Sequence, residues 1–210
     1  RLRATIAKRM VESLQVAAQL TATVEVDVTS ISRIRAAVKD DFKKREGASL
    51  SYLPFICKAV CESLKQFDKI NASMDIDAGT ITYHDAEHLS IAVDTDRGLL
   101  VPVIKDAGDL SLAGIARKIG DLAKRARSNQ LGPDEMSGGT FTITNVGVFG
   151  IDAGTPIING DESAIFCMGS IDRRPWVVGQ GLQERIEPRW VTTLSVAFDH
   201  RIVDGKGAVT

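Results

Sequence analysis

The run Val191-Thr192-Thr193-Leu194-Ser195-Val196-Ala197-Phe198-Asp199-His200-Arg201-Ile202-Val203-Asp204-Gly205 decides how this chain is read. Residues 191–198 are apolar or β-branched and carry no charge, the pattern of a buried strand. Ionisable groups then appear together at the strand's exit, as Asp199, His200 and Arg201, and Asp204-Gly205 follows four residues after the histidine. Loops that leave a rigid scaffold are where binding and catalytic residues concentrate. Residue types alone leave a second reading open, a capped strand end with a local salt bridge.

Outward from this run the chain alternates strands and helices. Residues 164–170 form another apolar run, read as a strand, and Thr140-Phe141-Thr142-Ile143-Thr144 alternates as a half-buried strand should. Residues 145–162, rich in Gly, Pro, Asn and Asp, read as a loop. Leu110 to Leu131 carries Leu112, Ile115, Ile119 and Leu122 at three- and four-residue steps, an amphipathic helix stopped by Gly132-Pro133. Short strands are expected at 80–83, 88–93 and 99–104, with a turn at 94–98. A buried helix is expected from Pro54 to Phe67. Residues 21–28 alternate as a strand. Thr29 and Ser30 offer cap oxygens for a charged helix that ends at Glu46-Gly47. Ile6, Met10 and Leu14 space a first helix. No repeat or linker interrupts the sequence, so it reads as one α/β domain.

A length of 210 residues is enough to bury a sizeable core, and 44% hydrophobic with 25% charged residues is ordinary globular composition. A net charge of −1 argues against a nucleic-acid groove or a polybasic membrane surface. No apolar run has the ~18 residues of a membrane-spanning helix. Three cysteines, Cys57, Cys61 and Cys167, argue for a reducing compartment rather than a disulfide framework. That fits a bacterial cytoplasm, or a mitochondrial matrix if the source is eukaryotic.

The other candidate chemistry is thin. His84 and His88 flank Asp85-Ala86-Glu87, but a zinc site wants a further ligand at defined spacing, and a polar turn explains them. Cys57 and Cys61, four apart on the expected buried helix, and Cys167, inside an apolar run, read as core thiols. Thr144-Asn145-Val146-Gly147 places a hydroxyl and an amide at a strand end, where they could donate to an oxyanion, although, taken alone, plain turn chemistry is the favoured account of them. Neither a GxGxxG loop nor a Walker motif is present.

Asp199-His200-Arg201-Ile202-Val203-Asp204-Gly205 matches throughout the D-H-R-x-x-D-G signature of the 2-oxo-acid dehydrogenase acyltransferases, the dihydrolipoamide acyltransferase (E2) components. Other segments resemble the same catalytic domain in order: RATIAKRM at 3–10, SLSYLPF at 49–55, Asn71-Ala72-Ser73, IAVDTDRGLLVPV at 91–103, GGTFTITNVG at 138–147 and TPIIN at 155–159. The resemblance spans nearly the whole chain. It implies a fold like that of chloramphenicol acetyltransferase, a mixed sheet flanked by helices, assembled as a homotrimer with its active site between subunits. Trimers of this family assemble further, into 24-mers or larger cores that bind the E1 and E3 components. The resemblance also implies segments outside this chain: lipoyl and subunit-binding domains ahead of it, and a C-terminal helix after the signature, at which the domain is truncated. No nucleic acid, membrane or metal is implied.

By the same resemblance the reaction is acyl transfer between dihydrolipoamide, carried on the lipoyl domain, and coenzyme A. His200 is then the general base. Thr144, where relatives more often have Ser, donates to the oxyanion. Asp204 holds the histidine loop, with Arg201 as a structural partner. Arg35, Ser51, Asp94, Asn145 and Gly169 align with coenzyme A-contacting positions. Arg174-Pro175-Trp176-Val177-Val178 and the run from Pro188 to Leu194 look most like branched-chain members, while other segments look as much like acetyl and succinyl enzymes. Two further readings remain: a core scaffold without its own activity, against which intact His200, Thr144 and Asp204 argue, and an antibiotic acetyltransferase on the same fold.

Overall fold

A computed structural model describes residues 2–204. The chain runs α1 (Leu2–Val16), β1 (Gln19–Asp27), α2 (Thr29–Glu46), α3 (Leu53–Gln66), β2 (Ala72–Asp75), β3 (Thr80–Tyr83), β4 (Leu89–Ile91), β5 (Val93–Thr95), β6 (Gly98–Leu100), β7 (Val103–Ile104), α4 (Leu112–Arg127), β8 (Phe141–Asn145), β9 (Ala164–Val178) and β10 (Arg185–Asp199). Six strands form one mixed sheet in the order β1-β10-β9-β8-β4-β7, and β2-β3 and β5-β6 are separate hairpins. The pairs β9–β8 and β8–β4 are parallel and the others antiparallel. The expected mixed sheet with helices against it is therefore present.

The two faces of the sheet differ chemically, and this positions the site. Leu89, Ile91, Phe141, Ile143, Phe166, Met168 and Phe198 point to one face, where α3 and α4 bury Ile56, Val60, Leu64, Ile115 and Leu122 against them. The alternate residues point the other way and are mostly small or polar: Ser90, Thr142, Cys167 and Ser195 are all at most 2% exposed. The loop 146–163 and the end of α1 cover part of this second face. Ser13 Oγ donates to Ile158 O at 2.7 Å, and Ile158 packs with Ile165 and Ala197.

Several boundaries differ from the sequence reading for identifiable reasons. Helix α4 stops at Arg127, because Asn129 takes a left-handed φ of 56° and Gln130 N donates to Arg125 O at 2.8 Å, closing a Schellman-type end before Gly132-Pro133 is reached. Helix α2 begins at Thr29 without a side-chain cap from Thr29 or Ser30. Thr29 Oγ1 instead accepts Trp190 N at 2.9 Å, and Asp27 Oδ1 accepts Thr29 N at 2.8 Å. The expected strand 99–104 divides at Pro102 between β6 and β7, since proline supplies no N–H to a ladder. The turn expected at 94–98 tightens to Asp96-Arg97 between β5 and β6. Strand β2 is too short to show a period, and the sequence reading missed it.

The largest departure is in β9 and β10, which run to 15 residues each. Their outer halves, closed through Gly179 and Gly181 at positive φ, form a two-stranded arm beyond the sheet. Charges and the facing prolines Pro175 and Pro188 disguise that arm in the sequence. Free ladder positions on a two-stranded ribbon tolerate proline, which a central strand does not.

Candidate active site

The end of β10 delivers His200. Asp199, its last residue, is 2% exposed, and its carboxylate is surrounded by donors. Oδ1 accepts Ala18 N at 3.2 Å and Arg201 N at 3.0 Å, while Arg201 Nε lies 2.9 Å from both carboxylate oxygens and Nη2 lies 2.5 Å from Oδ2. Burial alone would push the Asp199 carboxyl up. The hydrogen bonds and charge of Arg201 outweigh it and hold the group below the usual carboxylate range. The backbone of His200 is pinned in turn, with its N–H donating to Ala18 O at 2.9 Å. Ile202 and Val203 N–H both donate to Asp199 O, which closes the turn. The imidazole itself is exposed, tilted 51° to the Phe198 ring with centroids 6.0 Å apart.

Arg201 thus takes the structural part expected of it, with Asp199 as its partner. Asp204, expected to hold this loop, is exposed within the chain. The local salt bridge left open for this strand end is present, between Asp199 and Arg201; the part it plays in pinning the turn to Ala18 was not read from the sequence.

Thr144 lies on the small-residue face of β8, half-buried. Its register partner is Cys167, whose partner on β10 is Ser195. His200 follows Ser195 by five residues. At ~3.3 Å per residue along a strand and ~4.8 Å between strands, the Thr144 and His200 backbones of one chain stand roughly 19 Å apart. Side chains do not bridge that gap to a shared carbonyl, which must lie ~3 Å from both groups. Within one chain, the structure does not bring the two together.

Ser51, Tyr52, Asn145, Gly147, Met168 and Gly169 are among the residues that line a cavity of about 200 Å³ at the end of β8. Arg35 joins it through Tyr52: its guanidinium lies over the Tyr52 ring, 4.8 Å from the centroid, and its Nε donates to Leu50 O at 2.8 Å. Three of the five expected coenzyme A contacts, Ser51, Asn145 and Gly169, line the cavity, and Arg35 stacks on Tyr52 in its wall. Asp94 does not line this cavity. It follows β4, whose Ile91 pairs with Ile143, and so leaves the sheet at the same end.

Two features of the cavity had no weight in the sequence. A Cβ on Gly147 would stand 2.2 Å from Gly169 O, and one on Gly169 would stand 1.8 Å from Asp152 O. These backbones approach as only glycine allows. Asn145 Oδ1 is buried without a hydrogen-bond partner among the described residues. An orphan acceptor is costly, and the amide N–H groups of a pantetheine arm would satisfy it. At about 200 Å³ the cavity is below the ~300 Å³ of a complete small-molecule pocket, so it suits one segment of a long ligand.

The remaining candidates resolve into structure. Cys57, Cys61 and Cys167 are free and buried. Burial raises all three thiols, Cys61 to about 11, so none is a nucleophile near neutral pH. His88 Nδ1 accepts Asp106 N at 3.0 Å, and His84 N donates to Asn71 O at 2.9 Å, so the segment that contains both is a hydrogen-bonded turn.

Comparison with known proteins gives relatives over the whole length of the chain. The chain is 53% identical over 209 residues to the dihydrolipoyllysine-residue acetyltransferase component of the pyruvate dehydrogenase complex of Mycobacterium bovis, covering 99% of this chain and 38% of that protein. It is 43% identical to the succinyltransferase component of the 2-oxoglutarate dehydrogenase complex of Bartonella vinsonii, covering all of this chain and 50% of the relative. The chain thus spans at most about half the length of these relatives. A probable dihydrolipoamide acetyltransferase from Listeria monocytogenes superposes with a TM-score of 0.93 at 42% identity, over 99% of this chain and 86% of that one. The cubic core of a pyruvate dehydrogenase multienzyme complex superposes with a TM-score of 0.93 at 34% identity, over 99% and 84%. Chloramphenicol acetyltransferase, at 14% identity and a TM-score of 0.59 over 95% and 88%, shares the fold. The family described as 2-oxoacid dehydrogenases acyltransferase (catalytic domain) matches residues 1–210, and the chain belongs to that family.

Proposed function

We propose that this chain transfers an acyl group between dihydrolipoamide and coenzyme A, in an active site that two copies build together. The observation that carries the second part is the separation of His200 from Thr144, roughly 19 Å within one chain by strand geometry. Both residues lie at ends of the same sheet and both are open to a neighbour. A cyclic assembly, the trimer implied by the resemblance, lets His200 of one copy meet Thr144 of the next.

The chemistry follows from the groups at hand. A thiol is a weak nucleophile until it is deprotonated. His200, neutral, takes the proton from the attacking thiol as its sulfur adds to the acyl carbonyl. The hydroxyl of Thr144 donates to the oxygen that becomes negative. Collapse expels the second thiolate, and the imidazolium returns the proton to it. Asn145 Oδ1 and the glycine-lined cavity beside Ser51 receive the pantetheine arm, and Arg35 receives a phosphate. Asp204 steadies the turn that carries His200.

The acyl group best supported is acetyl, because the most similar relative reported above is an acetyltransferase, with succinyl supported by others. Of the segments that look branched-chain, Arg174–Val178, Pro188 and Arg189 lie on the β9–β10 arm, while Val191–Leu194 run inside the sheet, where Thr192 Oγ1 donates to Gly169 O. The scaffold reading gains no support from a chain that carries base, hydroxyl and cavity together.

Steady-state transfer from acetyl-, succinyl- and isobutyryl-CoA to free dihydrolipoamide tests the reading, with His200→Ala alongside. The expected result is transfer, fastest from acetyl-CoA, that falls at least ~100-fold without the imidazole. No transfer from any donor by folded, assembled protein would refute it.

A further inference from the structure

The turn after β10 holds an ion pair, one buried and one half-buried partner, one residue on either side of the proposed base. Asp199 is 2% exposed and gathers four donors: Ala18 N, Arg201 N, and Arg201 Nε and Nη2. Ala18 is used twice, its N–H by the Asp199 carboxylate and its carbonyl by the His200 N–H at 2.9 Å. The peptide that bears the imidazole is thus tied to the start of β1 through both groups of a single residue. Removing either side-chain charge alone would leave an uncompensated buried or half-buried ion next to the histidine.

We propose that Asp199 and Arg201 are positioning residues for His200, fixing its peptide against Ala18 while presenting to the imidazole a pair whose charges cancel. This rests on the reading of His200 as the base. Neither residue is assigned contact with substrate. Asp204, the other charge on the turn, is unaltered in the variants below.

The sign of the effect separates this role from mere structural support. Asp199→Asn leaves the Arg201 cation uncancelled beside the imidazole, which disfavours imidazolium. Arg201→Gln leaves the Asp199 anion uncancelled, which favours it. An uncancelled unit charge at ~7–10 Å, with an effective dielectric of ~20, displaces a titration midpoint by ~1–2 pH units. The isosteric change at Asp199 keeps an acceptor for Ala18 N–H and Arg201 N–H, so the fold is retained.

The test is an NMR titration of histidine in the assembled protein, with the His200 signal identified by its loss in His200→Ala. It reads the imidazole without substrate. The expected midpoint falls by ~1–2 pH units in Asp199→Asn, rises by about as much in Arg201→Gln, and returns near the parent value when both are combined. Turnover is expected to fall at least tenfold in all three, because the charge-assisted hydrogen bonds between Arg201 and Asp199 that fix the turn are weakened even where charge balance is restored. Midpoints that stay put or move in the same direction in both single variants would overturn the proposal, as would unchanged turnover beside an active parent. A parent protein that titrates as expected but transfers no acyl group would instead overturn the acyltransferase reading.

Discussion

Replacing Glu162 by Gln should remove most of this protein's loss of stability between mildly acidic and mildly alkaline pH. Glu162 is 7% exposed on the polar face of the sheet. Its Oε1 accepts Thr142 Oγ1 at 2.9 Å and Asn159 Nδ2 at 3.4 Å, and its Oε2 is buried with no hydrogen-bond partner among the described residues. Burial, the largest influence, pushes its pKa from the ordinary 4.5 up to about 8, against the opposing hydrogen bonds of Thr142 and Asn159. The unfolded chain therefore releases this proton near pH 4.5, and the folded chain keeps it until about pH 8. Within that window the folded state binds more protons, so its stability falls with rising pH by ~1.4 kcal/mol per unit, or about 5 kcal/mol in all. The amide of Glu162→Gln does not titrate, and its oxygen still serves Thr142. Urea unfolding of parent and variant at equal protein concentration, from pH 4.5 to 8.5, reads the difference directly. The variant should gain about 5 kcal/mol on the parent across the window and then hold that lead. A difference that stays flat would mean that Glu162 ionises normally, and would refute the reasoning.

Two further changes test the cavity and the oxyanion donor. Thr144→Ala should lower kcat ~100-fold, corresponding to ~3 kcal/mol for one lost donor, with KM for coenzyme A little changed. A fall in kcat/KM carried by KM alone would place Thr144 in binding instead. Gly169→Ala puts a methyl group 1.8 Å from Asp152 O, so the backbone must move. A destabilisation of ~1–3 kcal/mol is expected, seen as a lower Tm together with a raised KM for coenzyme A. An unchanged Tm would mean that the Gly169–Asp152 approach is looser than described.

The fold was legible wherever hydrophobic period and turn chemistry agreed. The amphipathic stripe Leu112-Ile115-Ile119-Leu122 gave α4, and the uncharged run before Asp199 gave the central part of β10. It was illegible where an element does not bury a face. The β9–β10 arm carries Arg173, Arg174 and facing prolines because it leaves the sheet, and sequence periodicity reports burial rather than backbone conformation. The site divided in the same way. His200 was legible from its motif, and the coenzyme A contacts came from resemblance. Tyr52, Gly147 and Glu162 matter through neighbours far away in sequence, Arg35, Gly169 and Thr142, and no local pattern announces such pairs. Thr29 shows the converse: a good cap residue by type, whose hydroxyl β10 had already engaged.

The central claim is that His200 and Thr144 act together from different copies of the chain. It is tested most directly by dissociating and reassembling His200→Ala and Thr144→Ala proteins as a 1:1 mixture and assaying acyl transfer. In a closed ring each site draws its histidine from one copy and its threonine from the next, so random mixing makes about a quarter of the sites intact. Recovery of about a quarter of the parent rate, from two proteins that are each nearly inactive, is the predicted result. A mixture no more active than its components would contradict the account, and would place both residues in a site that a single chain completes.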